Sequence, residues 1–265
     1  MIGNDNLISV ITPAYNCANT IEETILSVRS QTYGNWEMII VDDCSKDNTV
    51  EIIKRHSLLD DRIKLICLEQ NSGSATARNT AINHASGKYI ALLDSDDLWK
   101  PEKLERQLRF METHGYAFTF TAYDVFKDVS DVGRRIFEVP KSINYNQYLR
   151  NSIIGCLTVM VDKDQIPDFH MESGYLEDVL TWMHYLKHGV VAYGLNENLA
   201  SYRVSSGSKS AKKIKNAQRY YQCLKQQDRV GIVLRLFSQI GYIYNATKKR
   251  LFSKKTKNDS VVYNK

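Results

Sequence analysis

Apolar and polar positions along the first 122 residues alternate between two periods. Short apolar runs at residues 7–12, 37–41, 63–68, 89–93 and 117–122 predict five strands. Between them the apolar positions recur at helical spacing. Ile21, Ile25 and Val28 share one face, and Asn19-Thr20-Ile21-Glu22 ahead of them reads as a capping box with Asn19 as cap. Asp47 is placed to cap a helix carrying Val50 and Ile53. Residues 74–85 form an Ala-rich helix closed by Gly87, and Pro101 opens a helix whose stripe is Leu104, Leu108 and Met111.

Four successive strand–helix steps imply right-handed crossovers and a mostly parallel sheet with helices on both faces, an α/β fold. Ligands of such sheets bind beyond the carboxyl ends of the strands. Those ends carry residues 12–16, Asp42-Asp43, residues 70–73 and Asp94-Ser95-Asp96-Asp97. Further on, residues 124–140 show no clear period, and 151–162 read as a β segment. Residues 177–186 predict a helix with Val179, Met183 and Leu186 on one side, and 190–193 and 199–203 read as edge strands. The expected organisation is one domain over 1–205, a ligand-binding half (1–122) and a second half (123–205), followed by a basic, amphipathic helical tail (206–265).

Charge sharpens that boundary. Residues 201–265 hold 16 Lys/Arg and 2 Asp/Glu, whereas residues 1–200 hold 19 Lys/Arg and 28 Asp/Glu. An acidic body argues against a nucleic-acid groove, so no nucleic-acid partner is expected. In the tail, the apolar stretch 230–244 is followed by Lys248-Lys249-Arg250 and Lys254-Lys255. That pattern reads either as an interfacial helix drawn to an anionic membrane surface through residues 229–257 or as a helix packed on the domain. No apolar run reaches the roughly 20 residues of a spanning helix, and no signal pattern opens the chain. The five scattered cysteines, without a Cys-x-x-Cys, read as reduced thiols. A cytoplasmic protein, peripheral at the inner face of the cell membrane, is the expectation.

Three carboxylates within residues 94–97 repel one another with no basic run beside them, and a hard divalent cation, Mn²⁺ or Mg²⁺, would resolve this. A solvated acidic turn is the alternative. Asp42-Asp43 forms a second acidic pair, able to accept from a base imide, with Tyr15 placed to stack on that base; the alternative is that Asp42 or Asp43 only caps the helix after Ser45. Trp182 suits an acceptor-sugar platform and a core position equally.

Five segments in register carry a resemblance: Ser-Val-Ile-Thr-Pro-Ala-Tyr-Asn (9–16), Val-Asp-Asp-Cys-Ser (41–45), Asn-Ser-Gly-Ser-Ala-Thr-Ala-Arg-Asn (71–79), Leu-Leu-Asp-Ser-Asp-Asp (92–97) and Glu177-Asp178. Over residues 7–205 the chain resembles a family 2 glycosyltransferase of GT-A fold. The resemblance implies a nucleotide-sugar donor, commonly UDP-linked, bound by the 1–122 half, an acceptor bound by the 123–205 half, a divalent metal and inversion at the anomeric carbon. It implies donor contacts from Pro13, Ala14 and Tyr15, a uracil-binding carboxylate at Asp43, and Arg78, Asp94, Asp96 and Arg203 around the diphosphate and sugar. Metal ligands would be Asp96 and Asp97, and the catalytic base Asp178. Where relatives often place a His after the Tyr-Arg pair, this chain has Val204-Ser205. Its expected acceptor is a glycan or lipid-linked hydroxyl in bacterial-type surface polysaccharide synthesis. The competing class is a non-catalytic Mg-dependent nucleotide-binding or phosphoacceptor module, which would lack the Glu177-Asp178 region.

Overall fold

The computed structural model describes residues 6–131, 133–204 and 213–227, with 231–232, 235–241, 244 and 254–255 beyond them. The chain opens with β1 (Ile8–Ala14), α1 (Ile21–Arg29), β2 (Trp36–Asp42), α2 (Thr49–Leu59), β3 (Ile63–Cys67), α3 (Ser74–Asn83) and β4 (Tyr89–Leu92). Next come β5 (Leu98–Trp99), α4 (Lys103–His114), β6 (Phe118–Phe126), β7 (Arg135–Phe137), β8 (Ser142–Ile143), α5 (Tyr145–Tyr148), a 3₁₀ turn at Cys156–Thr158 and β9 (Met160–Asp162). Last are α6 (Glu177–Lys187), β10 (Ala192–Arg203), α7 (Lys213–Gln226) and β11 (Lys254–Lys255).

The first four strands pair in parallel, as the alternating pattern predicts, and their order is β4-β1-β2-β3. Successive side chains of β2 point to opposite faces. Ile39 and Val41 enter a core with Ala77 and Ala81 of α3 and Leu180 and Met183 of α6, while Met38 and Ile40 enter one with Ile25, Ile53 and Leu104 from α1, α2 and α4. The fifth predicted strand, β6, is not a neighbour of β4. The three-residue β9 lies between them, antiparallel to both, pairing Ile90 with Val161 and Phe118 with Val161.

Several local expectations are corrected. No capping box forms at Asn19; Thr20 is the N-cap of α1 and makes no side-chain cap bond. Its hydroxyl donates to the Ser95 carbonyl at 2.9 Å, tying α1 to the acidic turn. Asn48, not Asp47, is the N-cap of α2; Asp47 Oδ1 accepts from the Thr49 amide at 3.1 Å. Pro101 precedes α4, which starts at Lys103. Most of 151–162 is the 3₁₀ turn and loop around the short β9, and the two predicted edge strands are one continuous β10. That strand pairs in parallel with β6 through two register shifts between Leu195 and Ala200.

The tail departs from a uniform helix. α7 is helical, and its Tyr220, Cys223 and Leu224 are buried in the core that holds α6. Lys254 and Lys255 instead pair antiparallel with β7. Lys248-Lys249-Arg250 lie outside the described residues. Among the described residues no helix is long and apolar enough to cross a membrane.

Candidate active site

The loops after β1 and β2 are joined by backbone-to-side-chain bonds. The Asn16 amide donates to Ser45 Oγ at 2.9 Å, the Lys46 amide to Asn16 Oδ1 at 2.7 Å, and the Ala18 amide to Asp47 Oδ2 at 3.1 Å. Asn16 and Cys44 hold φ of 47° and 65°, strained positions that persist where surrounding bonds over-determine them. Tyr15 stands 49% exposed at this junction. Pro13 and Ala14 remain in β1, and the Ala14 carbonyl accepts from the Asp43 amide at 2.8 Å.

Asp42 and Asp43 divide their work. Asp42 turns the loop by accepting from the Ser45 amide at 2.9 Å. The buried Asp43 carboxylate accepts from the Ser72 amide at 2.6 Å and the Gly73 amide at 2.8 Å, docking the loop before α3. Gly73 holds φ +88°, which a side chain would resist, so its amide can turn onto Asp43. A carboxylate has about four lone-pair sites, so Asp43 retains capacity for a base.

Arg78 is the hub. It is 5% exposed on α3, and its guanidinium donates to Asp94 at the end of β4 and, at 3.1 Å, to Glu177 Oε1 at the start of α6. Ser74 also donates to Glu177 Oε1. Burial opposes the Arg78 charge, yet the surrounding anions, Asp94 foremost, raise its pKa above the ordinary arginine value.

The acidic turn is strongly polarised. Asp97 is fully buried; its Oδ1 accepts the Arg203 amide at 2.8 Å and its Oδ2 has no partner. Burial first, then Asp96 and Asp94, push its pKa well above the carboxylate range. Asp96 is partly exposed, and burial and then the Asp94 charge raise its pKa to about 6. Arg203, the last residue of β10, donates from its Nε to the Asp96 carbonyl at 2.7 Å and from its guanidinium to Glu23 of α1, so it braces the acidic turn. Ser205, where the family-typical His would fall, lies outside the described residues.

Asp178 is half-buried in the first turn of α6, one residue from Glu177. Burial, and then Glu177, push its pKa up to about 6. Trp182 is a core residue, fully buried and edge-on to Phe118 at 5.1 Å. The structure therefore gathers Asp94, Arg78 and Glu177-Asp178, and sets Asp96 and Asp97 on the adjoining turn, to which Arg203 of β10 is bonded. Sequence reasoning missed Glu23 and the Ser74 contact. Glu23 is one of two acids in the first turn of α1, with nothing in its spacing to single it out. Ser74 sits within a quoted segment, but its partner lies 103 residues away.

Among the described residues no three His, Cys, Asp or Glu side chains converge as a metal cage. A Mg²⁺- or Mn²⁺-type ion needs only one or two carboxylates when phosphate oxygens and water complete its shell. The unpartnered Asp97 Oδ2 and the crowded Asp96 fit such a partial donor set.

Comparison with known proteins identifies the family. The family model described as glycosyl transferase family 2 matches residues 9–162. The putative teichuronic acid biosynthesis glycosyltransferase TuaG of Bacillus subtilis (strain 168) is 44% identical over 92% of this chain and 98% of its own length. The UDP-Glc:alpha-D-GlcNAc-diphosphoundecaprenol beta-1,3-glucosyltransferase WfgD of Escherichia coli is 38% identical over 95% and 98%. Among solved structures, S. aureus TarS 1-349 in complex with UDP-GlcNAc superposes with a TM-score of 0.67 at 19% identity, covering 91% of this chain and 72% of that one. The mannosyltransferase PcManGT of Pyrobaculum calidifontis, in complex with GDP-Man and Mn²⁺, gives 0.66 at 18%, covering 92% and 70%. The family match over more than half of the chain, together with relatives matched along nearly their whole length, shows that it belongs to glycosyl transferase family 2 and is a glycosyltransferase of GT-A fold.

Proposed function

We propose that this glycosyltransferase moves a sugar from a UDP-sugar to a hydroxyl of a lipid-linked glycan, with inversion, during assembly of a surface polysaccharide. One observation carries the reading: the guanidinium of Arg78 is shared between Asp94 of the acidic turn and Glu177, the neighbour of Asp178. A single buried cation thereby couples the side that would hold the diphosphate to the side that would take up the acceptor proton.

Uracil would stack on the exposed Tyr15 and meet Asp43, with Pro13 and Ala14 forming the floor. Asp96 and Asp97 would hold a divalent cation, which when bound supplies positive charge beside the leaving diphosphate. Arg78 adds fixed positive charge on the same side. Asp178 Oδ2 takes the proton of the attacking hydroxyl, because Oδ1 is engaged by the Val179 amide at 2.8 Å. Attack from the face opposite the diphosphate inverts the anomeric centre in one displacement. Arg203 fixes the turn that presents Asp96 and adds positive charge on the donor side.

The acceptor class rests on the names of TuaG and WfgD, and a polyprenyl-linked acceptor implies work at a membrane surface, with residues 229–257 as the contact and the cytoplasmic face as the location. The deciding experiment incubates the chain and Mn²⁺ with UDP-, GDP- and dTDP-sugars and a polyprenyl-diphosphate-linked N-acetylhexosamine. UDP release that depends on acceptor, with a product anomer opposite to the donor's, is expected. Release from GDP- or dTDP-sugars alone, or retention of configuration, overturns the reading.

A further inference from the structure

Beyond α7 the chain has helical backbone at residues 232, 235–241 and 244. One side of this segment is packed on the domain. Ser238 is fully buried, Gln239 Nε2 donates to the Ala217 carbonyl of α7 at 3.0 Å, and Gly241 approaches Arg150 so closely that an added Cβ would lie 2.9 Å from its carbonyl oxygen. The other side is apolar and uncovered. Ile232, Leu236, Ile240 and Tyr244 succeed one another at four-residue spacing, with Phe237 beside them, and all five are between 53% and 69% exposed.

A soluble protein seldom leaves five large apolar side chains contiguous and uncovered without an occupant for them. Charge identifies the occupant here. The last 65 residues carry 16 Lys/Arg and 2 Asp/Glu, a composition that attracts a negatively charged lipid surface. An apolar arc within a basic segment is the signature of a helix lying in the plane of a bilayer interface. The inner side of the segment reaches the site through two contacts: it bonds α7, and α7 buries Tyr220, Cys223 and Leu224 in the core shared with α6, which begins at Glu177-Asp178.

We propose that Ile232, Leu236, Phe237, Ile240 and Tyr244 form a face that lies in the interface of an anionic bilayer, with α7 as the strut that holds α6 and its Asp178 near that surface. The proposal deepens the membrane contact suggested above and rests on it. It assigns residues 232–244 the apolar contact and leaves attraction to the basic side chains.

The test is co-sedimentation of the full chain with phosphatidylglycerol/phosphatidylcholine vesicles and with phosphatidylcholine alone, together with UDP binding measured without lipid. The wild type is expected to sediment with the anionic vesicles, less so as salt is raised through the range where the Debye length falls from roughly 10 to 3 Å. Leu236→Glu/Ile240→Glu and, independently, Ile232→Ser/Tyr244→Ser should weaken binding by about tenfold or more, with unchanged melting temperature and unchanged UDP binding. A wild type that stays in the supernatant at low salt, or double variants that sediment like it, overturns the proposal. So does a vesicle-free dimer, seen by light scattering, that either double variant dissociates, since a second copy would then cover the face. UDP binding reports on the glycosyltransferase reading separately, so failure of one is distinguishable from failure of the other.

Discussion

Asp178 and Asp96 both carry carboxyls whose pKa lies near 6, and each has a measurable consequence. As the proposed general base, Asp178 would work deprotonated, so kcat/KM should fall as pH drops through about 6, and Asp178→Asn should lower turnover by roughly 10²–10⁴ while leaving donor affinity near wild type. Stopped assays across pH 5–8 check both (about the range in which a group of this pKa titrates). For Asp96 the sign runs the other way from an ordinary salt-bridged acid. Its folded value exceeds the unfolded one near 3.8, so below about 6 the native state takes up a proton that the unfolded chain does not, and stability rises as pH falls toward about 4. The metal-free Asp96→Asn variant lacks the ionised carboxylate, so its melting temperature should exceed wild type at neutral pH and converge on it in acid. The acidic turn was legible because three carboxylates in four residues demand compensation. Asp178 was legible only through the Glu-Asp resemblance, since an acid in the first turn of a helix is ordinary dipole complementarity. Glu23 was not legible at all, because its partner Arg203 lies 180 residues away and only folding brings them together.

Among the elements, those of the first half were read closely because each buries a face whose period local sequence reveals. α4 shows it in Leu104, Leu108 and Met111, all buried as the stripe predicts. β9 and β10 were harder. β9 is three residues long, too short for a period, and β10 keeps its pairing with β6 across two register shifts that break the alternation. That α7, within the expected helical tail, packs into the core was hidden by composition, its lysines masking the three residues it buries. Those residues make a direct expectation: Leu224→Ala should destabilise the whole domain by about 2–5 kcal/mol, seen as a lower midpoint in denaturant with little change in slope. A chain cut before α7 should likewise lose stability, because Tyr220, whose hydroxyl donates to the Leu149 carbonyl at 2.7 Å, leaves with it.

Across the whole molecule, the spatial order of the strands in the sheet differs from the order of their synthesis. During translation the parallel strands emerge first, and β4 then waits some 70 residues for β9 to close its free side. Until residue 162 has left the ribosome, the nascent chain exposes an unpaired, fully apolar edge at Tyr89–Leu92, the kind of template that recruits other strands. A fragment released after residue 122 should therefore aggregate, detectable as thioflavin-positive material or as binding to a holdase, whereas one extended past 162 should remain dispersed longer. The short antiparallel insertion thus makes residues 1–122 dependent, for their own solubility, on the half that is translated after them.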